Sequence, residues 1–167
     1  EVLEFDFTDC EGDEDYLYDS EVILDGRSEA LDSLLGKVLG SAESPVTINL
    51  GNRSSIGVDE PLQMVNHVSI KGNGSEQTVI AGGESGNRLL LFKNVQGVNI
   101  NALTLSGVGR RNQGVYIRES SPIFMDVVID SCASSRGGAV FVIGGSPEFI
   151  NTRFTGNYSS ELGGAIY

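Results

Sequence analysis

Asp126 and Asp130, set among Arg110, Arg111, Arg118, Arg136 and Arg153, are the residues of this 167-residue chain with the types best suited to acid–base work. A carboxylate that takes a proton from beside a uronate carboxylate, helped by an arginine, belongs to the chemistry of a polysaccharide lyase or epimerase. Such a groove needs Asp or Glu on adjacent repeats, so that calcium can bridge protein and substrate. One repeat further on, the equivalents of Asp126 and Asp130 are Asn151 and Thr155. The acidic set is not kept, and no catalytic residue is assigned.

Other candidates are weighed the same way. The run Asp9-Cys-Glu11-Gly-Asp13-Glu14-Asp15 has the carboxylate density that calcium favours, but Glu14 and Ser20 stand where an EF-hand loop needs Gly and Glu. It reads as a solvated acidic strand or loop. Calcium is the one cation left open, and no cofactor is expected. His67, the sole histidine, lies beside Asn66 and before an apolar run, and reads as a turn residue. Cys10 and Cys132 could form a disulfide or remain thiols, because spacing does not reveal contact. Asn52, Asn73 and Asn157 begin glycosylation sequons, which matter if the chain is secreted. The net charge of −12 opposes nucleic-acid binding. No apolar run approaches the roughly 20 residues of a membrane helix, so this segment is not expected to insert.

The elements that would position these residues follow from a repetition. Ser121-Pro122-Ile123-Phe124-Met125-Asp126 returns 25 residues on as Ser146-Pro147-Glu148-Phe149-Ile150-Asn151. Gly137-Gly138-Ala139-Val140-Phe141 returns 26 residues on as Gly163-Gly164-Ala165-Ile166-Tyr167. Each period holds strand-sized apolar runs separated by turn residues, with no helix-length stripe. Three short strands per tandem unit predict an all-β fold, a right-handed parallel β-helix of about five rungs from residue 46. Leucine-rich repeats and propeller blades fail on residue pattern and period.

Equivalent residues should then stack in columns. Ile48, Ile70, Ile100, Phe124 and Phe149 form one, with steps of 22, 30, 24 and 25 residues. Leu105, Ile129 and Phe154 form a second, and Val115, Ala139 and Ala165 a third. Asn101, Asp126 and Asn151 are expected to make a hydrogen-bonded turn ladder. Residues 1–45 form the acidic segment plus a helix at about 28–40, with Ser28 as N-cap, Leu31, Leu34, Leu35, Val38 and Leu39 on one face, and Gly40 at its end. That helix would cap the first rung, whose edge would otherwise be adhesive. Residues 46–167 are the rungs, which are expected to continue past Tyr167. The start at Glu1, without a leader pattern, suggests a processed or excised piece.

The repeat resembles a known family. Gly137-Gly138-Ala139-Val140 and Gly163-Gly164-Ala165-Ile166 are similar to the Gly-Gly-Ala-aliphatic motif of chlamydial polymorphic outer-membrane proteins, and Phe154-Thr155-Gly156-Asn157 to their Phe-x-x-Asn motif. Ile129-Asp130-Ser131-Cys132, one rung earlier, departs from it. Residues 28–107 resemble the start of a pectin-lyase-like β-helix. The resemblance implies a secreted, cell-surface passenger: a non-enzymatic β-helix module of a larger adhesin or surface filament, acting in display, adhesion or assembly. Its partners would be further rungs, neighbouring subunits, or cell-surface glycans or proteins. A lyase or epimerase is the alternative.

Overall fold

The computed structural model describes residues 3–4, 21–23, 31, 35–51 and 55–167. Parallel strands wind into a β-solenoid of about five turns. The first sheet stacks Leu3–Glu4, Glu21–Ile23, Val46–Asn49, Val68–Lys71, Asn99–Asn101, Ile123–Met125 and Glu148–Ile150. The second stacks Ile56–Val58, Val79–Gly82, Thr104–Ser106, Val128–Asp130 and Arg153–Thr155. The third stacks Leu62–Gln63, Arg88–Lys93, Gln113–Arg118 and Val140–Ile143, and a further pair joins Ala133–Arg136 to Tyr158–Leu162. Every pairing among them is parallel, as a coil of successive laps demands.

Side chains alternate across each strand, so a three-residue strand buries either its middle residue or, as in Ile56–Val58, the two that flank it. Asn99-Ile100-Asn101 shows the first pattern, with only Ile100 buried. The first expected column is in register throughout, Ile48 with Ile70, Ile100, Phe124 and Phe149. Leu105, Ile129 and Phe154 are likewise in register, and Ile56 and Ile80 extend that column downward. Inside the core, Phe124 stacks on Phe149 at 5.2 Å between ring centroids and meets Phe92 edge-on at 5.9 Å.

The third expected column is one residue out. Val115 pairs with Val140, which bridges to Ile166, while Ala139 and Ala165 sit one place earlier. In a parallel ladder the N–H reaches the carbonyl preceding the partner residue, and Val115 N donates to Ala139 O at 2.7 Å. Ala139 and Val140 are both fully buried, and Phe141 turns toward the outside.

The laps turn at single residues with positive φ. Ala102, Asp126 and Asn151 make one corner column, at φ 53, 54 and 46. Asn94, Glu119 and Gly144 make another, at φ 55, 49 and 72. Asn, Asp and Gly tolerate this left-handed conformation; Ala and Glu adopt it at a cost that the neighbouring strands offset.

The first sheet extends into the acidic segment, where Leu3 pairs with Val22 and Val22 with Ile48. This was not anticipated, because the dense carboxylates of residues 1–21 mask apolar runs only two or three residues long. Of the expected helix over 28–40, Leu31 and Leu35 have helical backbone and are buried with Val38 against the core, whereas Leu39 is exposed. Residues 28–30 and 32–34 lie outside the described residues, and no helix is complete among those described.

Candidate functional site

The outward residues of the third sheet build the most distinctive surface. Tyr116 and Phe141 are in register, and Tyr167 follows one lap on. Their rings stack at centroid separations of 5.5 Å and 5.5 Å, with interplanar angles of 14° and 17°. Parallel strands about 4.8 Å apart force this spacing on equivalent side chains. Because the faces cover one another, the ladder presents ring edges to solvent, and an aromatic edge is the positive part of its quadrupole.

Guanidinium groups flank the ladder. Arg88 lies 4.6 Å from the Tyr116 centroid and donates through Nε to Gln113 Oε1 at 2.8 Å. Arg136 lies 5.8 Å from the Tyr167 centroid and donates through Nε to Glu161 Oε2 at 3.0 Å. The Glu161 carboxylate raises the Arg136 guanidinium above its ordinary value, by hydrogen bonding and then by charge. Gln113 ties the two ends together, since its amide nitrogen donates to the Arg136 and Gly137 carbonyls at 3.2 and 3.3 Å. Between the third sheet and the Ala133–Arg136 strand lies an open groove of about 460 Å³, lined by Arg88, Gln113, Tyr116, Phe141, Arg136 and Glu161 with Ser134, Ser135 and Ile143.

Of the residues singled out for acid–base chemistry, Arg136 lines this groove; Asp126, Asp130 and Arg110 instead bond to the next laps. Asp126 Oδ1 accepts from Asn151 Nδ2. Asp130 accepts from Thr155 Oγ1 at 2.7 Å and from Ser131 Oγ at 2.9 Å. Arg110 donates through Nε to Gly156 O at 3.0 Å and lies 5.8 Å from the Tyr158 centroid. Arg118 pairs in register with Lys93 and Ile143, and Arg153 with Val128, both with exposed side chains. Asn101 is not in the ladder of Asp126 and Asn151: it pairs with Met125, and Ala102 holds its expected place. His67 is a turn residue at φ 56 whose ring packs against Gly97.

The Gly-Gly motif has a steric basis. Gly137 and Gly163 have φ of 58 and 61, and a Cβ on either would lie 2.2 Å from a carbonyl oxygen, of Val140 or Ile166. Gly138 is closed from the other side, with Tyr158 O 2.2 Å from the Cβ position, whereas Gly164 has open space there. Phe154 is half-buried against the core. Asn157 anchors the turn of the Phe-x-x-Asn segment: its Oδ1 accepts from Cys132 N at 3.0 Å and its Nδ2 donates to Ile129 O at 2.8 Å. Asn112 does the same work lower down, with Nδ2 donating to the carbonyls of Gly83 and Gly107 at 3.0 and 3.3 Å.

Cys132 fills the turn place between those two asparagines and is a buried free thiol that donates to Asp130 O at 3.3 Å. Burial pushes its pKa up to about 12, with Asp130 adding to the shift and the Gly107 backbone opposing it. Cys10 and the acidic run 9–15 lie outside the described residues, as does Asn52. Asn73 is exposed, and its Nδ2 donates to Gln77 Oε1 at 2.9 Å. Among the described residues no group of three or more His, Cys, Asp or Glu is placed to hold a metal ion.

Sequence reasoning missed Arg88, Gln113, Tyr116, Phe141, Glu161 and Tyr167 as one site. A signal existed: an aromatic residue follows Val115, Val140 and Ile166 alike. Comparison with protein-family models, curated proteins and solved structures finds no match for this chain.

Proposed function

We propose that the chain is a non-enzymatic extracellular module of a larger cell-surface adhesin or surface filament, a rigid coil that acts in display, adhesion or assembly. The observation that carries this reading is the use of the repeat's carboxylates. Asp126 and Asp130 are engaged by Asn151 and Thr155, in bonds that hold one lap to the next, and Asp130 also accepts from its neighbour Ser131. Carboxylates held by their own fold are poorly placed to abstract a substrate proton, whereas the aromatic groove on the third sheet is open.

The Gly-Gly-Ala-aliphatic and Phe-x-x-Asn segments add support, through their likeness to polymorphic outer-membrane proteins within a pectin-lyase-like framework. In a secreted setting, Asn73 is a better glycan acceptor than Asn157, because Asn73 Nδ2 is held by an exposed side chain, Gln77, and Asn157 Nδ2 by a part-buried bond to the Ile129 carbonyl. The lyase or epimerase reading is tested with pectate and alginate in the presence of calcium. Unsaturated products or altered epimer ratios would overturn the proposal. Retention of the chain on intact cells or purified surface glycans, without turnover, is the expected result.

A further inference from the structure

The groove beside the aromatic ladder carries an uneven charge that points to a ligand class. Arg136 is neutralised by Glu161, the one ion pair among the described residues. Arg88 donates to the neutral Gln113 amide and has no carboxylate partner among those residues. Two guanidiniums and one carboxylate leave a single net positive charge in a chain whose total is −12. The molecule as a whole repels a polyanion far more than a singly charged group, whose smaller repulsion the local positive charge can offset.

The remaining polar atoms narrow the choice. Each arginine spends Nε inside the protein, leaving the outer fork of the guanidinium to face an oxyanion in two parallel hydrogen bonds. The edges of Tyr116 and Phe141 favour the same sign of ligand. Glu161 Oε2 is bound to Arg136, and its other oxygen is an acceptor on the groove wall. A bare inorganic anion gains nothing there and is repelled. A hydroxyl can donate to Glu161 and accept from Arg136, so a ligand with both an anionic head and hydroxyl groups satisfies both ends. The groove volume of about 460 Å³ lies within the range of small-ligand sites.

We propose that this groove binds a sugar residue bearing one oxyanion, a carboxylate or a sulfate ester. Arg88 holds the anion, and the Arg136–Glu161 pair reads the hydroxyls. This rests on the adhesion reading and names its ligand.

The test is calorimetric titration of the chain with N-acetylneuraminate, glucose 6-sulfate, glucose and sodium sulfate. At least one anionic sugar should bind, with glucose and sodium sulfate weaker by about tenfold or more. The sugar that binds identifies the carboxylate or the sulfate ester as the recognised group. Arg88→Gln should bring the anionic sugar down to the level of glucose, with the circular dichroism spectrum unchanged because Arg88 is exposed. Glu161→Gln should strengthen sodium sulfate binding while weakening the sugar.

Equal binding of glucose, equal binding of sodium sulfate, indifference to Arg88→Gln, or no binding by about 10 mM would each overturn the proposal. Cell adhesion measured on the same Arg88→Gln protein separates the two readings. Adhesion that persists without anionic-sugar binding removes the ligand assignment and leaves the adhesion module standing.

Discussion

Phe124 and Phe149 hold the same place in successive laps, yet Phe124 is fully buried and Phe149 only partly so. Gly138 and Gly164 diverge in the same way: the first has Tyr158 O pressed against it, and the second faces open space. Ile166 is exposed in the last lap, whereas Val140, its partner one lap earlier, is fully buried. Two stretches written almost alike therefore differ in what each residue contributes. In a stacked coil, the lap above decides the energetics as much as the residue itself does.

That contrast can be broken by mutation. Phe124→Ala should cost about 3–5 kcal/mol in denaturant unfolding, as for a fully buried aromatic, and Phe149→Ala clearly less. Similar losses at both positions would remove the distinction between the laps. Gly138→Ala should cost about 1–3 kcal/mol by forcing Cβ into the Tyr158 carbonyl, whereas Gly164→Ala should stay within about 0.5 kcal/mol of the parent.

The thiol of Cys132 sharpens the same comparison through pH. Its folded pKa of about 12 exceeds the ordinary 9.0, so the folded state binds the proton more tightly than the unfolded chain does. The stability it contributes is fully present below pH 9 and is lost progressively as pH rises from 9 to 12. Cys132→Ala should flatten that alkaline decline relative to the parent, as read by unfolding at a series of pH values. A thiol reagent should leave Cys132 unmodified in the folded chain.

A small effect is expected at Arg110, which clasps Gly156 two laps away. Arg110→Ala should cost about 0.5–1 kcal/mol, and its amide-exchange signature should appear in the last lap alone.

The coil itself was legible because its signals are redundant: each core column repeats an apolar residue between turn residues, and one slip in spacing does not hide the rest. Single-register details were less so. The displacement of Ala139 from Val115, and of Asn101 from Asp126, is one residue in each case. Local composition cannot fix such a step, because it depends on which carbonyl in the next lap receives each N–H. Ala102 and Glu119 occupy left-handed corners that their types do not advertise. The groove escaped for a related reason. Arg88, Gln113, Tyr116, Arg136 and Glu161 come from four separate strands and meet only when the laps are superposed.

Only Asp126 and Val127 separate Met125 from Val128, yet residues 72–78 fill the equivalent corner between Lys71 and Val79. That longer corner is stitched shut by Thr78, whose Oγ1 receives Asn73 N at 2.9 Å and donates to Gly51 O at 3.2 Å. Because Ile70 and Ile100 remain in register across the bulge, extra chain can be spliced in there without the core noticing. Such a frame can acquire new surface by lengthening one bend at a time, and an engineer could graft a foreign peptide at the same bend.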